Sequence, residues 1–344
     1  MRKNGFLVYW SMCFFLFFTL GMFTLVTQSS GADVITWQCQ SYYTTKTVEK
    51  QRNAFAHKVK EKSNGRLDIK TYPANQLVKT MAVLDAVSKG ALEMGWGAGI
   101  YHRGKIPEAA LEFGLPLSWQ TWEEQKELFY ERGIIDKVRK AYAENGIYYL
   151  SPLPAGYYIL MTKSRLDSLA DLKGLKIRAA GVEGKILSSF GATMVSIPGS
   201  EQYMALQRGT IDGTVHVALA LIGHKLNEVV DYVYYPPFHK VCMDIFINQK
   251  AWNSLTPDLQ KAVQESIEEL HDDWNRTYDE EDALGLMRCL IDGSLKAVIY
   301  FPDEDVAKLR RAAMLEWDKL AAKNERCKEM VEIYKQFMRD KGRL

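Results

Sequence analysis

Arg178 is the residue of this chain with the clearest chemistry to offer. It closes the run Lys-Ile-Arg at 176–178, inside a block (residues 167–213) that reads strand, glycine-punctuated helix and second strand. A guanidinium presents a planar fork of donors that fits a carboxylate through two parallel hydrogen bonds, and it keeps its charge when partly buried. Open α/β sheets bind ligands just beyond the carboxyl ends of their strands. An arginine at such an end therefore points to a small organic anion. No catalytic set competes with it: the sequence has no Ser/His/Asp pattern, no HExxH and no phosphate-binding loop. Glu201 and Asp212 do not read as an acid/base pair; helix and turn structure accounts for them.

The elements that must position Arg178 follow from periodicity. Residues 34–41 read as a first strand, and 47–63 as a helix with Val48, Phe55 and Val59 on one face, stopped by Asn64-Gly65. Leu67 and Ile69 alternate with polar neighbours as in a strand; Met81, Leu84 and Val87 mark a helix ended by Gly90; a buried strand then runs into a glycine loop at 95–99. This β, α, β, α, β order is the signature of an open α/β sheet. Residues 122–146 read as a charged helix, 147–156 as a strand and 245–252 as another. A long helix should begin at Pro257 with Thr256 as N-cap, burying Leu259, Val263, Ile267, Leu270, Trp274 and Tyr278. The tail, 303–339, reads as amphipathic and helical.

Composition narrows the class. The chain has 344 residues, 47% of them hydrophobic, enough for two cores. Arg2 and Lys3 precede an apolar run over 6–26, and Ser30 and Ala32 fit a small-x-small cleavage site, so residues 1–32 are expected to be a secretory signal peptide. Without Arg2 and Lys3 the 44 basic residues become 42, matching the 42 acidic ones. No basic stripe survives, which argues against nucleic acid as a partner. Cys39, Cys242, Cys289 and Cys327 are widely spaced with no CxxC, which speaks against a zinc site and leaves disulfides and buried thiols both open.

The block around Arg178 also resembles a known family. Asp171 to Arg178, Gly191, Ala192, Pro198, Glu201, Tyr203, Ala205 to Gln207, Gly209, Asp212 and Gly213 match the recurrent pattern of the solute-binding proteins of tripartite ATP-independent periplasmic (TRAP) transporters, the C4-dicarboxylate-binding-protein type. Residues 65–77 and 85–95 resemble the N-terminal half of the same proteins. The resemblance implies a two-lobed periplasmic-binding-protein fold, type II-like, with a long helix bracing both lobes. Lobe I would be 33–153 plus 244–283, and lobe II 154–243 plus 284–344 with the C-terminal helices. It implies a periplasmic protein, not an enzyme, that captures an organic acid in the cleft and delivers it to TRAP membrane subunits. The alternatives are the binding protein of an ATP-driven importer or the ligand-sensing partner of a membrane receptor. Some relatives exchange a C-terminal helix, so a monomer and a helix-exchanged homodimer both remain open, although packing of the tail on lobe II is the simpler expectation.

By the same resemblance, Arg178 pairs with the ligand carboxylate. Tyr158, beside Tyr157, stands where many relatives place a second polar contact. His216 stands where relatives carry Asn or Trp; with an ordinary pKa near ~6.5 it would be the pH-sensitive member. Residues 233–242 resemble a segment of the branch that binds 2-oxo acids, where acidic residues help hold a bridging cation. This chain has Val215 and Lys240 instead, so no metal or other cofactor is expected, and Lys240 is a candidate point-charge substitute. Gln38, Trp96 and Phe238 complete the candidates as cleft walls. One cation among many aromatic faces favours a monocarboxylate with a hydrophobic body, or a small 2-oxo or hydroxy acid.

Overall fold

The computed structural model describes residues 34–179, 181–197 and 199–344; the expected signal peptide lies outside the described residues. β1 (Ile35–Ser41) and β2 (Leu67–Tyr72) run parallel and are joined by α1 (Lys46–Lys62). Val48, Phe55 and Val59 are buried along α1, and Asn64 and Gly65 end it with positive φ. α2 (Val83–Lys89), closed by Gly90 at φ 78°, leads to β3 (Met94–Gly97), which is parallel to β1. Met81, expected on the buried face of this helix, lies in a preceding 3-10 turn and is exposed.

Three helices follow: α3 (Ala109–Phe113), α4 (Trp122–Lys126) and α5 (Ile134–Ala143). The single helix expected over 122–146 is divided. A wider turn spans Glu127–Glu131, and Gly133 adopts left-handed backbone at φ 78°, a conformation that glycine accepts without a Cβ penalty.

The next stretch builds the other half: β4 (Ile147–Thr162), β5 (Lys176–Arg178), α6 (Val182–Ser188), β6 (Thr193–Val195), α7 (Gln202–Gln207), β7 (Gly213–Val217), α8 (Ala220–Gly223) and β8 (Tyr232–Asn248). The strand expected over 245–252 stops at Asn248, whose side chain accepts from the Lys250 and Ala251 amides and so caps α9 (Gln249–Ser254). α10 (Pro257–Ile291), β9 (Ala297–Tyr300), α11 (Asp303–Ala321) and α12 (Glu325–Asp340) complete the chain.

The strand order is β2-β1-β3-β8-β4-β7-β5-β6, with β9 paired to β8. β4 and β8 are antiparallel and pass through both halves side by side. Residues 244–247 of β8 pair with β3, while residues 158–162 of β4 pair with β7. Their register slips between Pro154 and Tyr157 and again between Tyr158 and Leu160. α10 packs on β4, on α1 in the first half and on α8 in the second, the bracing role expected of it. Leu259, Val263, Ile267, Trp274 and Tyr278 are buried along it, whereas Leu270 is only half-buried. Thr256 sits at the N-cap position, but its side chain makes no capping bond.

The tail differs from expectation. Helix formation is interrupted before Asn324, which caps α12 by accepting from the Cys327 amide at 2.7 Å. α11 lies on α6, but α12 crosses to α3 and α5, where the Tyr334 hydroxyl donates to the Leu111 carbonyl at 2.9 Å. All four described cysteines are free and buried.

Candidate ligand-binding site

β5 lies between β6 and β7, parallel to both, and Arg178 is its last residue. The side chain is only 1% exposed. Nε donates to the Ile197 carbonyl at 3.0 Å and Nη1 to the Val215 carbonyl at 3.1 Å. A Cβ at Gly199 would stand 3.0 Å from His216 Nε2 and 3.8 Å from Arg178 Nη2; the glycine lets the backbone come close to both groups. Among the described residues, Arg178 bonds to backbone carbonyls and the Tyr158 hydroxyl, and to no carboxylate. Burying an unpaired guanidinium is costly, and an incoming anion offsets that cost.

Tyr158 faces the guanidinium across the sheet. In register it stands opposite Val217 of β7 and His239 of β8. Its ring meets Phe113 edge-on at 5.7 Å and lies 5.7 Å from His239 and 6.1 Å from His216. Burial raises its hydroxyl pKa, so the phenol stays a neutral donor and acceptor. His216 accepts the Val217 amide on Nδ1 at 2.9 Å. Burial first, then Arg178 and His224, push its pKa well below the usual histidine range. The expectation that His216 is the pH-sensitive member is therefore overturned: it stays neutral.

Two residues not singled out from the sequence complete this face. Glu183, at the start of α6, is 1% exposed, and burial pushes its carboxyl up to about 7 against the opposing pull of Arg103 and Arg178. Gly181 makes room for it: a Cβ there would stand 2.2 Å from Glu183 Oε2. His239 is fully buried, with its pKa pushed down to about 3 by desolvation. Its Nδ1 is 3.7 Å from Glu183 Oε1.

The remaining candidates lie elsewhere. Tyr157 and Lys240 are opposite each other in register but sit on the α10 side of the sheet. Lys240 Nζ lies 4.6 Å from the Tyr157 ring centroid and pairs with Asp279 of α10. The Tyr157 amide donates to Asp282, also on α10, at 2.8 Å. Trp96 is fully buried between Phe55 and Trp274, in the core of the first half. Gln38 is exposed on β1, its amide donating to Glu93. Phe238 is buried, its carbonyl accepting the Leu117 amide. The structure thus brings Tyr158 and His216 to Arg178 and sets Tyr157 and Lys240 apart. Strand alternation was the available signal: Tyr158 and His239 share one face, and Tyr157 and Lys240 the other.

A bridging cation does not suit this donor set. Val215 offers no side-chain oxygen, and Lys240 turns away to Asp279. Among the described residues no group of three or more His, Cys, Asp or Glu could hold a metal ion.

The profile of the bacterial extracellular solute-binding proteins, family 7 (DctP), matches residues 41–324. The chain belongs to that family. It is a solute-binding protein of the TRAP type, not an enzyme. Similar proteins include the monocarboxylate 2-oxoacid-binding periplasmic protein of Nostoc sp., 29% identical over 82% of this chain and 78% of its own length. The C4-dicarboxylate-binding periplasmic protein DctP of Rhodobacter capsulatus is 26% identical over 65% of this chain and 68% of its own. Among solved structures, a TRAP periplasmic solute-binding protein of Colwellia psychrerythraea, with bound calcium and pyruvate, superposes with a TM-score of 0.83 at 25% identity. That match covers 90% of this chain and 95% of the other. Among the described residues no helix is long and apolar enough to cross a membrane.

Proposed function

We propose that this TRAP-type protein works in the periplasm, clamps a small organic acid with its carboxylate on Arg178, and passes it to TRAP membrane subunits. The observation that carries the reading is the buried guanidinium at the carboxyl end of β5, bonded to carbonyls and a phenol but, among the described residues, to no carboxylate. The named ligands of the relatives, 2-oxo acids, C4-dicarboxylates and pyruvate, agree in bearing a carboxylate. The leader-like N-terminus and the periplasmic relatives support the location.

The clamp needs two lobes that move. In this reading they are 33–153 with 244–283, and 154–243 with 284–344. They turn on β4 and β8, where the register slips between Pro154 and Tyr157, and α12 reaches across from the second to the first. Arg178 and Tyr158 hold the acid from one side while Phe113 closes over it from the other. Ligand contact with both sides shifts the population toward the closed form. The test is differential scanning fluorimetry with a panel of monocarboxylates, guided by mass spectrometry of acids released from the purified protein. The wild type should gain thermal stability with at least one acid and Arg178→Ala should gain none; an unchanged shift in the variant would overturn the assignment.

A further inference from the structure

Arg178 accounts for a carboxylate, but not for the acid and imidazole beside it. Glu183 Oε2 has no partner among the described residues, and neither ring nitrogen of His239 has one. The 3.7 Å from Glu183 Oε1 to His239 Nδ1 is too long for a hydrogen bond between them. All three unpartnered atoms are fully buried. Buried polar groups are normally satisfied, and leaving one unmade costs more than a hydrogen bond gains. A neutral imidazole offers one N–H donor and one acceptor nitrogen, and an ionised carboxylate accepts only. A group that fits between them must both donate and accept.

The charges narrow the choice further. Glu183 feels Arg103 and Arg178 as its nearby cations, while His239 and His216 stay neutral. One ligand carboxylate on Arg178 meets that guanidinium's charge. A second would lie among groups that already include Glu183, and like charges in a desolvated site repel strongly.

We propose that Glu183 and His239 form a second recognition point that selects 2-hydroxy monocarboxylates over 2-oxo acids and dicarboxylates. The inference rests on the Arg178 reading above. The ligand hydroxyl donates to the Glu183 carboxylate and accepts from the His239 N–H, while its carboxylate takes the Arg178 fork. Above about pH 7, where Glu183 is ionised, a 2-oxo oxygen has no proton to give, so it leaves Glu183 unpaired and sets lone pairs against lone pairs. Sites built to bond a ligand hydroxyl reject the analogue that lacks it for this reason.

Calorimetric titration of the full mature protein at about pH 8, where Glu183 is ionised, tests the proposal with matched pairs: lactate against pyruvate, 2-hydroxyisovalerate against 2-oxoisovalerate, and phenyllactate against phenylpyruvate, with malate as the dicarboxylate. In every pair that binds, the wild type should favour the hydroxy acid by on the order of tenfold or more, and malate should bind more weakly than that hydroxy acid. Glu183→Gln, whose amide can donate to a 2-oxo oxygen, should reduce the ratio to about threefold or less, chiefly by gaining affinity for the oxo acid. Equal or tighter binding of the oxo acids by wild type overturns the proposal, as does binding of none of the six. Both of those outcomes are read on the wild-type protein alone. Arg178→Ala separates the two readings: loss of both members of a pair leaves the carboxylate anchor standing whatever the hydroxy-to-oxo ratio, whereas retained binding removes the anchor itself.

Discussion

The molecule contains two buried clusters of acids, imidazole and phenols, and they are finished differently. In the first half, the His102 ring nitrogens meet the Tyr142 and Tyr42 hydroxyls, each at 3.0 Å. Tyr142 donates to Asp244 at 2.8 Å, and Tyr149 donates to Glu112 at 2.8 Å with the Cys242 thiol at 3.1 Å. Every side chain there has a partner within the cluster, although one oxygen of Glu112 and one of Asp244 are left without a bond. In the cluster beside Arg178, His239 has none among the described residues, and Glu183 accepts from its own amide and leaves Oε2 unpaired. The two clusters have similar composition and depth, so burial of polar groups alone does not mark a ligand site. What differs is the His239 ring, which has no partner at either nitrogen among the described residues and so keeps bonding capacity that a ligand can use.

Variants can break or sharpen that contrast. The largest effect should come from Arg178→Ala, which removes the only anchor proposed for the ligand carboxylate. Losing a partner of a buried charge pair costs about 2–5 kcal/mol, so affinity should fall by about two orders of magnitude or more, read by calorimetry. Glu183→Gln should come next, and it should stabilise the ligand-free protein. The folded carboxyl holds its proton up to about 7, against 4.5 ordinarily. Between those values the unfolded chain binds fewer protons, so stability falls as pH rises, and the penalty is complete above the folded value. The glutamine should therefore gain about 3 kcal/mol at pH 8 and nothing below pH 4, as measured by urea unfolding at both pH values. A gain of equal size at both would remove the charge from the explanation.

The cluster around Tyr142 should respond in the opposite sense. Tyr142→Phe deprives Asp244 and His102 of a partner and should cost about 1–3 kcal/mol of stability, with the ligand dissociation constant unchanged within about threefold. A large affinity loss would mean that this cluster communicates with the cleft. The smallest effect on binding is expected from Lys240→Met. Its ammonium pairs with Asp279, which is 40% exposed, on the α10 side. Solvent can take over that carboxylate, so the stability loss should be about 1 kcal/mol, and ligand affinity should hardly move. A hundredfold weaker Kd would place Lys240 in the recognition path after all.

How much of this was legible in the sequence varied with the physics. The α/β alternation, the long helix after Thr256 and the strand that ends in Arg178 follow from local pattern, and each is present; the bracing role of that helix came from the family resemblance. The facing of individual side chains did not follow. Alternation separates Tyr157 from Tyr158 but does not say which of them faces Arg178, because β4 slips register three times, at Tyr149/Ser151, Pro154/Tyr157 and Tyr158/Leu160, and the phase is not carried along the strand. Pairing of His239 with Tyr158 is a contact between residues about eighty positions apart, and no local signal reports it. Glu183 was hidden for another reason. A glutamate in the first turn of a helix normally reads as a surface charge favoured by the helix dipole; here it is buried beside His239 of β8, far away in sequence. The break at Gly133 was a missed local signal, since glycine between two helical runs is a common stop.

The arrangement of β4 and β8 has a consequence for how the chain is made. β8 separates β3 from β4 in the sheet, yet it is translated after all of its neighbours except β9. A nascent chain that has not reached Tyr232 lacks the centre of its sheet in both halves and carries unsatisfied strand edges. Pairings between such distant segments form slowly. The sheet thus remains incomplete until Asn248 of 344 residues has been synthesised, a delay that helps keep the chain pliable for any machinery that must thread it before it sets.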